Sequence, residues 1–175
     1  WTFLIWSINE LITNNEHMLY NIGLLLCLSF FQGMSINISH ELFHKTTLWE
    51  KALGYINLLK HYFCHLAIEH NEGHHVLVGL PEDLSTGRYN ETFYAFFIRA
   101  MLGKIPFCWN LEKKRCKENG LNWYNNRMVW ITICYILFPL FVFYYFGIKI
   151  LIVQIVIAWG LGIGDWAQSP IPYYL

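Results

Sequence analysis

The sequence predicts an all-α protein, a polytopic bundle of transmembrane helices with a histidine cluster on its cytoplasmic side. Three observations predict it. The chain is 55% hydrophobic and 18% aromatic with only 14% charged residues, where a soluble domain carries about 25% charged. Two runs, 18–39 and 128–147, hold no Asp, Glu, Lys or Arg. No alternation of apolar and polar residues suggests strands, and only helices or closed barrels satisfy their backbone within lipid.

The elements follow in order. At 1.5 Å per residue, 18–39 reaches about 33 Å, close to the ~30 Å hydrocarbon core, and it runs directly into His40. Gly23 and Gly33 favour close helix packing. From Leu48 the chain is too polar for a lipid-facing span, and a helix packed on the protein is expected to continue to about His75. Gly79, Pro81, Gly87 and Asn90 mark 76–91 as a loop. The aromatic stretch 92–107 is expected to lie flat or dip in at the membrane interface, and 110–126 to form a polar, basic connection. The second span, 128–147, carries Pro139, which is expected to kink it. A tight turn at Lys149 then leads into a third span, 150–164, forming a helical hairpin. The whole of 1–175 reads as one partial domain. The chain opens at Trp1 inside one apolar stretch and stops at Leu175 after another, so both ends read as cut, and no charged region marks a signal peptide.

Charge excludes one class of partner. The formal net charge is zero, from 12 basic and 12 acidic residues. Lys113, Lys114, Arg115 and Lys117 are too short a cluster for a nucleic-acid footprint and read as a solvated loop beside the membrane. These residues, with Lys45, Lys51 and Lys60, lie between the first two spans and place that side in the cytoplasm. The five cysteines lack CxxC spacing and read as reduced thiols, with Cys27 and Cys134 as packing residues.

Chemistry concentrates in the histidines. Of eight, five lie in two compact motifs: 40–45, His40-Glu41-Leu42-Phe43-His44-Lys45, and 69–75, Glu69-His70-Asn71-Glu72-Gly73-His74-His75. Residues four apart share a helix face, so His40 with His44, and His70 with His74, can each grip a metal. His75 lies about 100° round from His74 and can reach a second ion. Five imidazoles exceed one tetrahedral shell, so the number points to two metals, or one with spare ligands. Imidazole suits Fe, Zn, Cu and Ni alike. Neutral ligands also avoid the cost of charged side chains near lipid. Glu41, Glu69 and Glu72 are placed to accept ring N–H groups from the ligands. His61 and His65 read as packing or supporting residues, and His17 as interfacial. An Asp83–Arg88 or Glu82–Arg88 pair could close the 81–88 loop over the site, or sit as a surface ion pair. Trp6, Phe30, Phe31, Phe138 and Phe141 could line an apolar pocket or simply pack.

His40 to Lys45, preceded by Asn37, resembles the first histidine box of the membrane alkane monooxygenases. His65-Leu66-Ala67-Ile68-Glu69-His70-Asn71-Glu72-Gly73-His74-His75 resembles their second box, and Pro81-Glu82-Asp83, Arg88 and Glu91 its continuation. The spacing His-x3-His-His differs from the His-x2-His-His usual in desaturases of the same superfamily. The resemblance implies a centre of two irons held by His40, His44, His70, His74 and His75, with Glu41, Glu69, Glu72, His65 and Asp83 around them. It implies O2 and an apolar chain hydroxylated at its terminal carbon as substrates, a rubredoxin-type electron donor, and membrane lipid as surroundings. No histidine follows His75, so the family's third box and its Asn-Tyr-x-Glu-His motif have no counterpart. The 175 residues are thus expected to supply an incomplete shell and to be inactive alone.

Other readings stay open. A desaturase or lipid hydroxylase would share fold and ligands. A membrane zinc protease would use the HExxH of 40–44, with Glu41 as base and Glu69 as third ligand, but leaves His70, His74 and His75 without a role. A non-enzymatic remnant would bind no metal.

Overall fold

The computed structural model describes residues 2–13 and 18–166, and His17 lies outside them. Among the described residues every regular element is helical. These are α1 (Thr2–Thr13), α2 (Met18–Phe43), α3 (Leu48–Leu59), α4 (Leu66–Ile68), a π turn (Glu69–His74), α5 (His75–Leu77), α6 (Phe93–Glu118), a 3-10 turn (Trp123–Asn125) and α7 (Arg127–Trp166).

The first apolar run becomes α2, whose buried face is Leu28, Gln32, Ile36, Ser39 and Phe43, a three-to-four spacing that puts all five on one side. Its opposite face exposes Leu26, Phe30, Phe31, Met34 and Ile38. Among the described residues, two helices are long and apolar enough to cross a membrane, Met18–Phe43 with mean hydropathy 1.6 and Arg127–Ala158 with 2.3. Cys27 and Cys134 lie exposed on these two helices and are not the packing residues expected.

α3 returns antiparallel along the later half of α2. Gly54 lets the backbones approach, since a Cβ there would stand 2.8 Å from the Phe43 ring. Asn57 Nδ2 donates to Ser35 O and Ser39 Oγ, both at 2.6 Å. The helix does not continue to His75 as expected. It breaks after Leu59, and Tyr62 takes a left-handed φ of 54°. His61 Nε2 meets Ser35 Oγ at 3.0 Å, and Cys64 Sγ meets Tyr55 O at 3.5 Å, so side-chain anchoring sets the reversal. The chain then climbs back towards His40 and His44 through α4, the π turn and α5.

The expected interfacial stretch and polar connection are one helix. α6 buries Phe96, Ala100, Lys104, Cys108, Glu112 and Cys116, an unbroken four-residue stripe with two charges in it. Thr92 caps it by accepting from Ala95 N. Lys113, Lys114 and Lys117 are exposed on its last turns, but Arg115 turns inward to Glu112 at 2.8 Å.

In α7 the helical dihedrals fail at Gly147 (φ 82°, ψ 173°), not at Pro139 or Lys149. Glycine alone tolerates that backbone. The Phe138 ring lies 5.8 Å from that of Tyr62, tilted by 58°, while Gln154 Nε2 donates to the nearby Lys60 O. A straight helix would hold 138 and 154 about 24 Å apart, so the chain folds back near Gly147. Beyond it, Ile157 joins Leu4, Ile8 and Leu28 in a small core where α1 packs. The larger core, with Leu58, Ile68, Ala100, Cys108 and Met128, lies between α2, α3, α4, α6 and α7.

A cavity of about 240 Å³ lies between α1 and α7, lined by Leu4, Ile8, Phe138, Phe141, Val142 and Phe146 among others. Phe31 lines a neighbouring one, while Trp6 and Phe30 line neither.

Candidate metal centre

Two segments meet at the top of α2. His40 stands in the last turn of α2 and His44 in the turn just past its end, their Nε2 atoms 3.0 Å apart. His70 enters from the π turn, its Nε2 2.5 Å from that of His40 and 3.3 Å from that of His44. Three ligands on one face of an ion, each about 2.0–2.1 Å from it and at right angles, stand about 2.9 Å apart. The triangle has that scale. Without a cation it is frustrated, because each Nε2 either donates or accepts one hydrogen bond and cannot serve two neighbours. Burial, then the imidazoles of His40, His75, His44 and His74, push His70 down to about 3. It is therefore neutral, with its lone pair available, at physiological pH. The donor set fits a transition metal.

His75 Nε2 lies 2.9 Å from His70 Nε2, outside the His40–His44–His70 triangle. A π turn closes i→i+5 hydrogen bonds, and it brings the His75 ring to 4.3 Å from that of His70, centroid to centroid, while the His74 ring stacks beside His70 at 5.7 Å. His74 Nδ1 lies 2.8 Å from Asp83 Oδ2. Asp83 is buried, and Thr86 Oγ1 and the Ser85 N–H also donate to it. Asp83 thus meets His74 rather than Arg88, and the arginine that ties down the loop is Arg99, at 2.7 Å from Glu91.

The expected carboxylate supports are also reassigned. Glu41 pairs with Lys45 at 2.8 Å on the surface. Glu69 is buried and bonded to Lys104 at 3.0 Å and Ser85 at 2.6 Å. Glu72 pairs with Arg127 at 2.5 Å. Among the described residues, Asp83 is the carboxylate bonded to a cluster imidazole. His65 stays out of the cluster, buried, with Nδ1 2.9 Å from Tyr135 Oη. Burial, with Lys104 nearby, holds His65 at about 3, and burial with Lys60 does the same for His61.

Sequence reasoning passed over Lys104, Glu112 and Arg127. Glu112 is fully buried and receives Arg115 Nε at 2.8 Å, Arg127 Nε at 3.0 Å and the Arg127 N–H at 2.7 Å. Burial alone would raise its carboxyl, but these donors hold it at about 2. The signal was present in the four-residue period from Phe96 to Cys116, which makes positions 104 and 112 inward-facing.

The fatty acid desaturase family model matches residues 16–169. Alkane 1-monooxygenase 2 of Alcanivorax borkumensis is 30% identical over 138 residues, 76% of this chain and 36% of that protein. The alkane 1-monooxygenase of Pseudomonas putida is 30% identical over 143 residues, 79% and 36%. That of Ectopseudomonas oleovorans is 37% identical over 98 residues, 56% and 24%. The chain spans about a third or less of the length of these relatives. With a match over nearly its whole length and the histidine pattern in place, the chain belongs to the fatty acid desaturase family.

Proposed function

We propose that this chain is part of a membrane-bound, non-haem iron monooxygenase with two irons that hydroxylates the terminal carbon of an alkane or similar apolar chain. The observation that supports it most is the triangle of Nε2 atoms from His40, His44 and His70, in a chain whose relatives are named alkane 1-monooxygenases. His40, His44 and His70 would hold one ion, and His75 and His74 would serve the second. Bound iron would supply O2 activation and oxidation of the C–H bond.

The chain's own residues do the rest. Asp83 fixes the ring of His74 by accepting at Nδ1, which leaves Nε2 as its donor atom. Neutral imidazoles give the ions no counter-charge near lipid. The apolar wall of Leu4, Ile8, Phe138 and Phe141 suits a hydrocarbon and excludes water. Converting a methyl group and O2 to an alcohol and water consumes two electrons and two protons, and a rubredoxin-type donor would supply the electrons. α2 and α7 would cross the bilayer as part of a polytopic bundle, with the histidines and the exposed Lys45, Lys113, Lys114 and Lys117 on the cytoplasmic side.

Elemental analysis and product identification on the full-length protein test this reading. Near two irons per chain, lost in His40→Ala and His70→Ala, with a 1-alkanol formed from an alkane, is the expected result. An alkene or a hydroxylated lipid as the product would move the substrate within the same family. One zinc with peptidase activity would sink the proposal, although Glu41, tied to Lys45, is poorly placed as a protease base.

A further inference from the structure

The π turn is held in place from outside itself. Neither flanking helix can enforce its register, since α4 and α5 have three residues each and α5 opens into a loop. One extra residue per turn is an uncommon arrangement that side-chain ties must support. The strongest tie begins at Glu112, which is fully buried on α6. Arg115 grips it through Nε and Nη2 at 2.8 and 2.9 Å and reaches Asn125 O at 2.6 Å. Arg127, the first residue of α7, adds its backbone N–H and its guanidinium to the same carboxylate. The guanidinium is thereby fixed, and its Nη2 meets Glu72 Oε1 at 2.5 Å in the middle of the π turn. The next residue, Gly73, is pressed on α6, where a Cβ would stand 2.5 Å from Phe107 Cε1. A return to α-helical pitch would rotate Glu72 and Gly73 against both contacts.

We propose that Arg127, anchored by Glu112 and gripping Glu72, is a positioning residue that keeps Glu69–His74 in its π turn and so brings the His75 ring closer to His70 than that of His74, 4.3 Å against 5.7 Å between centroids. The inference rests on the metal-binding reading of the cluster. Arg127 touches no cluster histidine; it acts through the pitch of the segment that carries them.

The test uses the full-length protein, stripped of metal and titrated with Co2+ while its visible spectrum is followed. In the native background His75→Ala weakens binding about tenfold and His74→Ala weakens it less. In Glu72→Leu the order reverses and the Co2+ spectrum changes, because the His74 ring becomes the one closer to His70. Glu72→Gln, which still accepts from Arg127, keeps the native order and spectrum. Glu72 is 37% exposed, so its replacement leaves the core intact. Unchanged order and spectrum in Glu72→Leu would overturn the proposal. No Co2+ binding by the native protein would instead sink the metal reading. Amide exchange over 69–77 in the metal-free protein then decides the clamp alone, faster exchange in Glu72→Leu supporting it and unchanged exchange overturning it.

Discussion

The two histidine motifs are built by different rules. His40 stands in the last turn of α2 and His44 in the turn that ends it, where a spacing of four still puts two rings on one side and the neighbouring Glu41–Lys45 pair is a surface pair. His70 and His74 stand in a π turn and His75 just after it, where His75 Nε2 comes within 2.9 Å of that of His70 and Glu69 and Glu72 serve Lys104 and Arg127. The first motif needs only its own helix. The second depends on α6, on the start of α7 and on the 79–92 loop. A ligand spacing read from sequence is therefore only as good as the pitch assumed for it.

Several changes would break or sharpen this contrast. Glu112→Leu leaves Arg115 and Arg127 without their shared carboxylate. It should destabilise the protein by about 3–5 kcal/mol, read by thermal unfolding in detergent, and should loosen 69–77 in amide exchange while the 36–43 end of α2 stays protected. A loss below about 1 kcal/mol would mean the second motif stands without its supports.

Acid should weaken the approach to the second motif. His61 and His65 are held neutral at about 3 by burial, while the unfolded chain takes up protons near the ordinary 6.5. The unfolded state binds more protons throughout the window between these values. The stability is thus present in full above about 6.5 and is lost as pH falls towards 3, by about 2 kcal/mol per imidazole between pH 6.5 and 5. A flat melting temperature over that range, or an undiminished slope in His61→Gln, would contradict it.

Gly73→Ala drives a methyl group into Phe107 and should cost about 1–3 kcal/mol, partly recovered by Phe107→Leu in the same chain. No recovery would place the strain elsewhere. Glu41→Ala removes an exposed i,i+4 pair and should leave the melting temperature and the metal content unchanged. A loss of metal there would return Glu41 to the role first expected of it.

Legibility in the sequence followed the same divide. Absence of charge gave α2 and the first part of α7, because a long apolar helix needs no partner to be recognised. Regular spacing paired His40 with His44. The break after Leu59 was hidden, since the residues that cause it, His61 and Cys64, act on Ser35 and Tyr55 elsewhere in the chain. The π turn was hidden too, because its causes lie in Arg127 and Phe107. Lys104 and Glu112 were passed over because 92–107 and 110–126 were read as separate segments, so the helix period from Phe96 was not carried through them. Asp83 was singled out both as a residue around the ligands and as a partner for Arg88, and the sequence left the choice open because loop closure onto His74 is a tertiary event.

The inward stripe of α6 also constrains how this chain can drift. A buried charge that loses its counterpart is far more costly than one replaced together with it. Substitution at Glu69 is therefore contingent on Lys104, and substitution at Glu112 on Arg127 and Arg115. Such positions change as sets or stay as they are, whereas Ala100 on the same stripe answers only to volume. Among descendants of this sequence, the charged pairs would carry the epistasis and the apolar positions the tolerated variation.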